Sequence, residues 1–118
     1  MSILTTVFAT LVALEHLYIF YLETIATQSA TTSRVFNMAQ DELARPSVDK
    51  LFKNQGVYNG LLALFLLYRI YLSANVELVV VFLVFVVAAA SYGALTANRK
   101  IIVTQGGPAI LALLSFLI

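Results

Sequence analysis

Glu15, His16 and Glu23 sit in the run Glu15-His16-Leu17-Tyr18-Ile19-Phe20-Tyr21-Leu22-Glu23, which is otherwise apolar and aromatic. An ionisable side chain in such a segment is expensive and marks a candidate functional group. A carboxylate beside a buried imidazole has the makings of a proton relay, because small changes of environment move histidine across physiological pH. The alternative is a hydrogen-bonded polar knot that pins one helix against its neighbours. By ligand type the three residues would suit a metal ion. Residues 15 and 16 project roughly 100° apart on a helix, however, and the chain has one histidine, so no metal site is expected.

A second group is Gln55, Tyr58 and Asn59, which share one helical arc. They either satisfy Glu15 and His16 across a helix interface or line a ligand pocket. Tyr92, Thr96 and Gln105 complete the set of candidate pocket residues. Gln105-Gly106-Gly107-Pro108 reads either as backbone N–H groups presented to an anion at a helix start or as a kink. Gly56 and Gly60 form a G-x-x-x-G, the pattern of close helix packing, within the chain or between two copies. There is no phosphate loop, no dinucleotide fingerprint, no nucleophile elbow and no H-E-x-x-H.

The elements that must position these residues are set by composition. Of 118 residues, 61% are hydrophobic and 11% charged, and the mean hydropathy is +0.93. That lies far from the soluble average of about half apolar and a quarter charged. At about 20 residues per span the length admits one domain of four spans and little soluble machinery. A net charge of +1 leaves no basic face for nucleic acid. The absence of cysteine removes disulfides, thiolate metal sites and redox thiols. The N-terminus lacks a basic region and a cleavage site, so a retained first span is expected.

The spans are expected at about residues 2–24, 51–72, 76–96 and 101–118. Residues 27–50 are expected to form a hydrophilic loop, either merely solvated or carrying a short surface helix opened by Asn37 and stopped at Pro46. Ser47 is the expected N-cap of the second long helix. Ser73-Ala74-Asn75 and Ala97-Asn98-Arg99-Lys100 are tight turns. Pro108 cannot donate to the Thr104 carbonyl, so the last span kinks or starts afresh there. The fold class is thus an all-α integral membrane protein, an antiparallel four-transmembrane-helix bundle.

Basic residues orient it. Arg34, Arg45, Lys50 and Lys53 follow span one, and Arg99 and Lys100 follow span three, so both loops are expected in the cytoplasm and both termini outside. Arg69, near the opposite boundary, reads as a snorkelling anchor. This orientation gathers Glu15, His16, Glu23, Gln55, Tyr58, Asn59, Tyr92, Thr96 and Gln105 toward the cytoplasmic half, as a polar pocket beneath an apolar outer half.

Glu15 to Glu23, Phe52-Lys53-Asn54-Gln55-Gly56-Val57-Tyr58-Asn59-Gly60, Tyr92-Gly93-Ala94-Leu95-Thr96 and Gln105-Gly106-Gly107-Pro108-Ala109 together resemble a bacterial membrane family known as domain of unknown function number 1304. The resemblance covers nearly the whole chain. It implies a small four-span protein and carries over no catalytic residue.

The expected function is that of a multi-pass protein of the bacterial inner (plasma) membrane, with a cytoplasm-facing intramembrane pocket for a small ligand, linked to protonation of Glu15 or His16. One alternative is a membrane enzyme acting on a lipid or isoprenoid, with Glu15 or His16 as acid or base and Tyr58 or Tyr92 as helper. Another is a structural or partner subunit of a membrane complex. The partners expected are the lipid bilayer and the small ligand, with a homodimer left open; no cofactor is expected.

Overall fold

Long runs of Leu, Val, Ile and Phe without proline or glycine favour helix wherever a continuous apolar length nears 20 residues. A computed structural model describes residues 1–96 and 100–118, and it is all-α, with no strand among the described residues. Helix α1 (Ile3–Phe20) continues through a π-helical turn, Tyr21–Ile25. Short helices α2 (Ala30–Phe36) and α3 (Gln40–Leu43) follow. Helix α4 (Pro46–Leu67) continues through a second π turn, Tyr68–Leu72, and then come α5 (Val76–Thr96), α6 (Lys100–Thr104) and α7 (Gly107–Ser115).

Two local expectations are corrected. Asn37 closes a helix instead of opening one. It adopts the left-handed conformation, φ 54° and ψ 48°, which asparagine tolerates better than most residues. Met38 N–H reaches Ser33 O at 3.0 Å and Asn37 N–H reaches Arg34 O at 3.4 Å, the paired bonds of a Schellman ending. Ser29 opens that helix, its hydroxyl accepting from Thr32 N–H at 3.1 Å. Helix α4 begins at Pro46, one residue before Ser47, because proline's fixed φ suits a first helical position. The fresh start expected at Pro108 is present: the last stretch breaks at Gln105-Gly106 and a new helix begins at Gly107, with Pro108 in its first turn. Residues 97–99 of the expected turn lie outside the described residues, and Lys100 opens α6.

The chain divides into two compact units, Met1–Glu15 with Leu64–Ile118, and His16–Ala63. In the first, α5 packs against the Tyr68–Leu72 turn, α6 and α7. Its core includes Ala9, Val12, Leu66, Val79, Leu83, Val86, Ala109 and Ala112. Hydroxyls tie the start of α1 into this unit. Thr5 Oγ1 and Ser115 Oγ share a buried hydrogen bond of 2.6 Å, and Thr10 Oγ1 and Tyr71 Oη another of 2.6 Å. Asn75 caps α5, its Oδ1 accepting from Leu78 N–H at 3.0 Å.

The second unit is built on the end of α1, the loop helices and the first turns of α4. Leu22 and Leu43 are fully buried, and the Phe36 and Phe52 rings meet edge to face at 5.3 Å. A helix end leaves its last four carbonyls without helical donors, and a π turn displaces them further. Threonines supply the missing donors here. Thr27 Oγ1 donates to Glu23 O at 2.7 Å, and Thr32 Oγ1 lies 2.7 Å from Ala26 O and 3.2 Å from Leu22 O. Thr32 is fully buried, so Thr32→Val, of equal shape, is expected to destabilise the protein by about 1–3 kcal/mol through the stranded carbonyls. Thermal unfolding in detergent checks this; an unchanged midpoint would mean that the carbonyls find other donors.

At the start of α4, the Lys53 ammonium, 2.6 Å from Asp49 Oδ2, and the Gln28 amide, 3.3 Å from Oδ1, hold the Asp49 carboxyl below its ordinary 3.8. Because the folded value is the lower one, the associated stability is present above about pH 4 and is lost as pH falls through the folded value. Lys53 is exposed, so solvent screening keeps the contribution small. In a carbon NMR titration, Lys53→Gln should move the Asp49 midpoint up toward 3.8; an unmoved midpoint would assign the shift to Gln28 instead.

Candidate functional site

The candidate site takes shape in the second unit, where two polar side chains from apolar helices meet. Glu23 lies inside the π turn that ends α1 and is only 5% exposed. Asn59, just ahead of the apolar run that begins at Leu61 in α4, donates from Nδ2 to Glu23 Oε1 at 2.6 Å. At 2.6 Å the bond is slightly shorter than the usual N–H···O range of about 2.7–3.2 Å. Among the described residues this is the only side-chain hydrogen bond that Glu23 makes. Its second carboxylate oxygen makes no side-chain hydrogen bond among the described residues.

Two glycines let α4 approach closely enough for that bond. A Cβ on Gly56 would collide with Thr24 Oγ1 and lie 3.1 Å from Thr24 N and 3.0 Å from Glu23 Cβ. A Cβ on Gly60 would lie 2.8 Å from the Phe20 ring. Gly56 and Gly60 thus bracket Asn59 in sequence and place its helix backbone against the turn that carries Glu23. The close contact of the G-x-x-x-G is made within the chain.

The other candidate residues are distributed as follows. His16 is 5% exposed, on the buried side of α1. Glu15 is half-buried, and its Oε1 is enclosed without a hydrogen-bond partner among the described residues. Gln55 is exposed, and Tyr58 is 65% exposed on the outer face of α4. Tyr92 is 70% exposed, and Thr96 is exposed with its hydroxyl donating to Tyr92 O at 2.8 Å. Gln105 is half-buried in the bend between α6 and α7. Of the sequence-derived set, hydrogen bonding joins Glu23 and Asn59.

Thr27 and Thr32, which secure the backbone on either side of Glu23, are absent from the sequence-derived set. A signal for them exists: threonine beyond the end of an apolar helix, in a chain with few other donors, is placed to cap carbonyls. No group of three or more His, Cys, Asp or Glu residues suited to a metal ion occurs among the described residues.

An uncharacterized protein, YpaA, of Lactococcus lactis subsp. lactis (strain IL1403) is 60% identical over 116 residues, spanning 98% of this chain and 98% of that protein. No solved structure matches the chain. The family model described as Protein of unknown function (DUF1304) matches residues 10–117, and the chain belongs to that family.

Proposed function

We propose that the protein is a small integral membrane protein, one domain of four spans near residues 2–24, 51–72, 76–96 and 101–118, whose Glu23–Asn59 pair marks a polar intramembrane pocket for a small ligand. Residues 27–50 face the cytoplasm and both termini face outside, following the distribution of Lys and Arg. Protonation of the buried acid accompanies ligand binding in this reading.

Membrane insertion is supported by what the helices leave uncovered. Ile3–Ile25 and Val76–Thr96 are long and apolar enough to cross a bilayer. A surface helix in water shows polar residues opposite its buried stripe. Helix α5 instead buries Val79, Leu83, Val86 and Ala90 and exposes Val81, Val84, Phe85 and Leu95. On α1 the exposed stripe is Leu4, Val7, Leu11, Leu14 and Tyr18, and on α4 it is Val57, Leu61, Leu64 and Phe65. Hydrocarbon is the solvent that suits such faces. The break at Gln105-Gly106 is compatible with a span because Gly106 is buried in protein.

One observation supports the pocket: a carboxylate 5% exposed at the end of an apolar helix, with one side-chain donor and one oxygen left over. Carbodiimide labelling in sealed vesicles tests it. At mildly acidic pH, a water-soluble carbodiimide with glycine ethyl ester should modify Glu23 in inside-out vesicles, with much less modification in right-side-out ones. Absence of the adduct in Glu23→Gln identifies the site. If Glu23 resists the reagent from both sides, the pair is a packed structural knot and the pocket is refuted.

A further inference from the structure

A groove of about 820 Å³ runs along the first unit, between the end of α4 with its π turn and the first turns of α5. Leu64, Phe65, Leu67, Leu72, Leu78 and Phe82 form its apolar walls. Arg69, in the π turn, lines it too and is the only charged residue that does so among the described residues. The guanidinium is half-buried and held in place, with Nη1 3.1 Å from Ser73 Oγ and Cζ 5.3 Å from the centre of the Tyr68 ring. Guanidinium has five N–H donors in a planar fork that matches phosphate, and here Ser73 engages Nη1 alone. Nε and Nη2 make no hydrogen bond among the described residues.

We infer that this groove is a binding site for an anionic phospholipid, with an acyl chain along the apolar walls and the phosphate paired with Arg69. Charge complementarity selects this occupant. A neutral apolar guest would leave the guanidinium donors unmet, and a free phosphate would leave the walls uncovered. Tyr68 and Tyr71 flank Arg69, the position that amphipathic rings take at the headgroup level. Glu77, in the first turn of α5, is exposed and does not line the groove. The site rests on the membrane reading and is independent of the Glu23–Asn59 pocket.

The test is native mass spectrometry of the full-length protein after delipidation and exposure to phosphatidylglycerol and phosphatidylcholine of identical chains. One cation near anionic lipid is worth about 1 kcal/mol, so retention of phosphatidylglycerol should exceed that of phosphatidylcholine by about five-fold. Arg69→Gln should bring the ratio close to one, Arg69→Lys should keep part of the preference, and Lys53→Gln should keep all of it. Leu64→Trp, which fills the groove and leaves the charge in place, should lower retention of both lipids. Excess inorganic phosphate should not displace the bound lipid. Equal retention of the two lipids by the wild-type protein, an unchanged ratio in Arg69→Gln, or displacement by inorganic phosphate would each overturn the inference. Recovery of the protein in the soluble fraction after alkaline washing would overturn the membrane reading itself, an outcome separate from any lipid ratio.

Discussion

Gly56→Val should be among the most damaging single substitutions in the chain, and Gly107→Ala close to harmless. At Gly56 the new side chain meets Thr24 from two directions. The hydroxyl can rotate away, since its bond to Lys53 O is long, at 3.3 Å, and exposed. The Thr24 backbone nitrogen, 3.1 Å from the new Cβ, cannot, so the helix must shift and carry Asn59 with it. Overpacking of this kind costs about 1–3 kcal/mol, and loss of the Asn59–Glu23 bond adds to it. Gly60→Ala should be milder, because the Phe20 ring can turn. At Gly107 a new Cβ would meet nothing within 4 Å, and removing backbone freedom in a helical turn there gains up to about 1 kcal/mol. Unfolding with sodium dodecyl sulfate in mixed micelles should place the two variants on opposite sides of the wild type. Equal midpoints for Gly56→Val and the wild type would mean that the G-x-x-x-G is not a closely packed contact.

The same pair of glycines indicates how much of the fold the residues announce. Gly56 and Gly60 flanking Asn59, with Glu23 on another apolar helix, are visible because small and polar residues are conspicuous against Leu and Val, and hydrocarbon leaves such groups few partners. The break in the last stretch is equally visible, since Gly-Gly-Pro interrupts any helix. The turn at Ser73-Ala74-Asn75 follows from spacing alone. What stays hidden depends on packing. The π turns at Tyr21–Ile25 and Tyr68–Leu72 each insert one residue into a hydrogen-bond ladder, and no propensity separates Tyr-Leu-Glu-Thr-Ile from ordinary helix. Yet those turns decide where Glu23 and Arg69 point. Asn37 is ambiguous for a related reason: asparagine suits both an N-cap and a left-handed helix ending, and the bonds from Asn37 and Met38 back into α2 select the second. The exposure of Tyr58 and Tyr92 is hidden as well, because an arc on a helical wheel shows which residues share a face and not which face meets the neighbouring helix.

Asn59→Leu should strongly destabilise the protein, and the loss should be largely absent when Glu23 is also replaced. Asn59 is the one side-chain donor to a carboxylate that is 5% exposed, so its removal strands a buried acceptor. Stranding a buried acceptor costs about 1–3 kcal/mol, and more where it is charged, which exceeds the net contribution of the bond because the acceptor's desolvation is no longer compensated. Glu23→Leu with Asn59→Leu removes both polar groups and should recover most of that loss. The cycle formed by the wild type, the two single variants and the double variant isolates the coupling. Its size also reports the state of the acid: hydrogen bonds between neutral side chains in membranes average about 0.6 kcal/mol, whereas bonds to a charged group contribute about 1.5–3 kcal/mol. The larger value would make Glu23 the charged partner in the resting protein. A coupling near 0.6 kcal/mol would instead make Glu23 a neutral hydrogen-bonding partner in the resting protein. A coupling near zero would remove the pair from the fold altogether, and with it the basis for a pocket at that position.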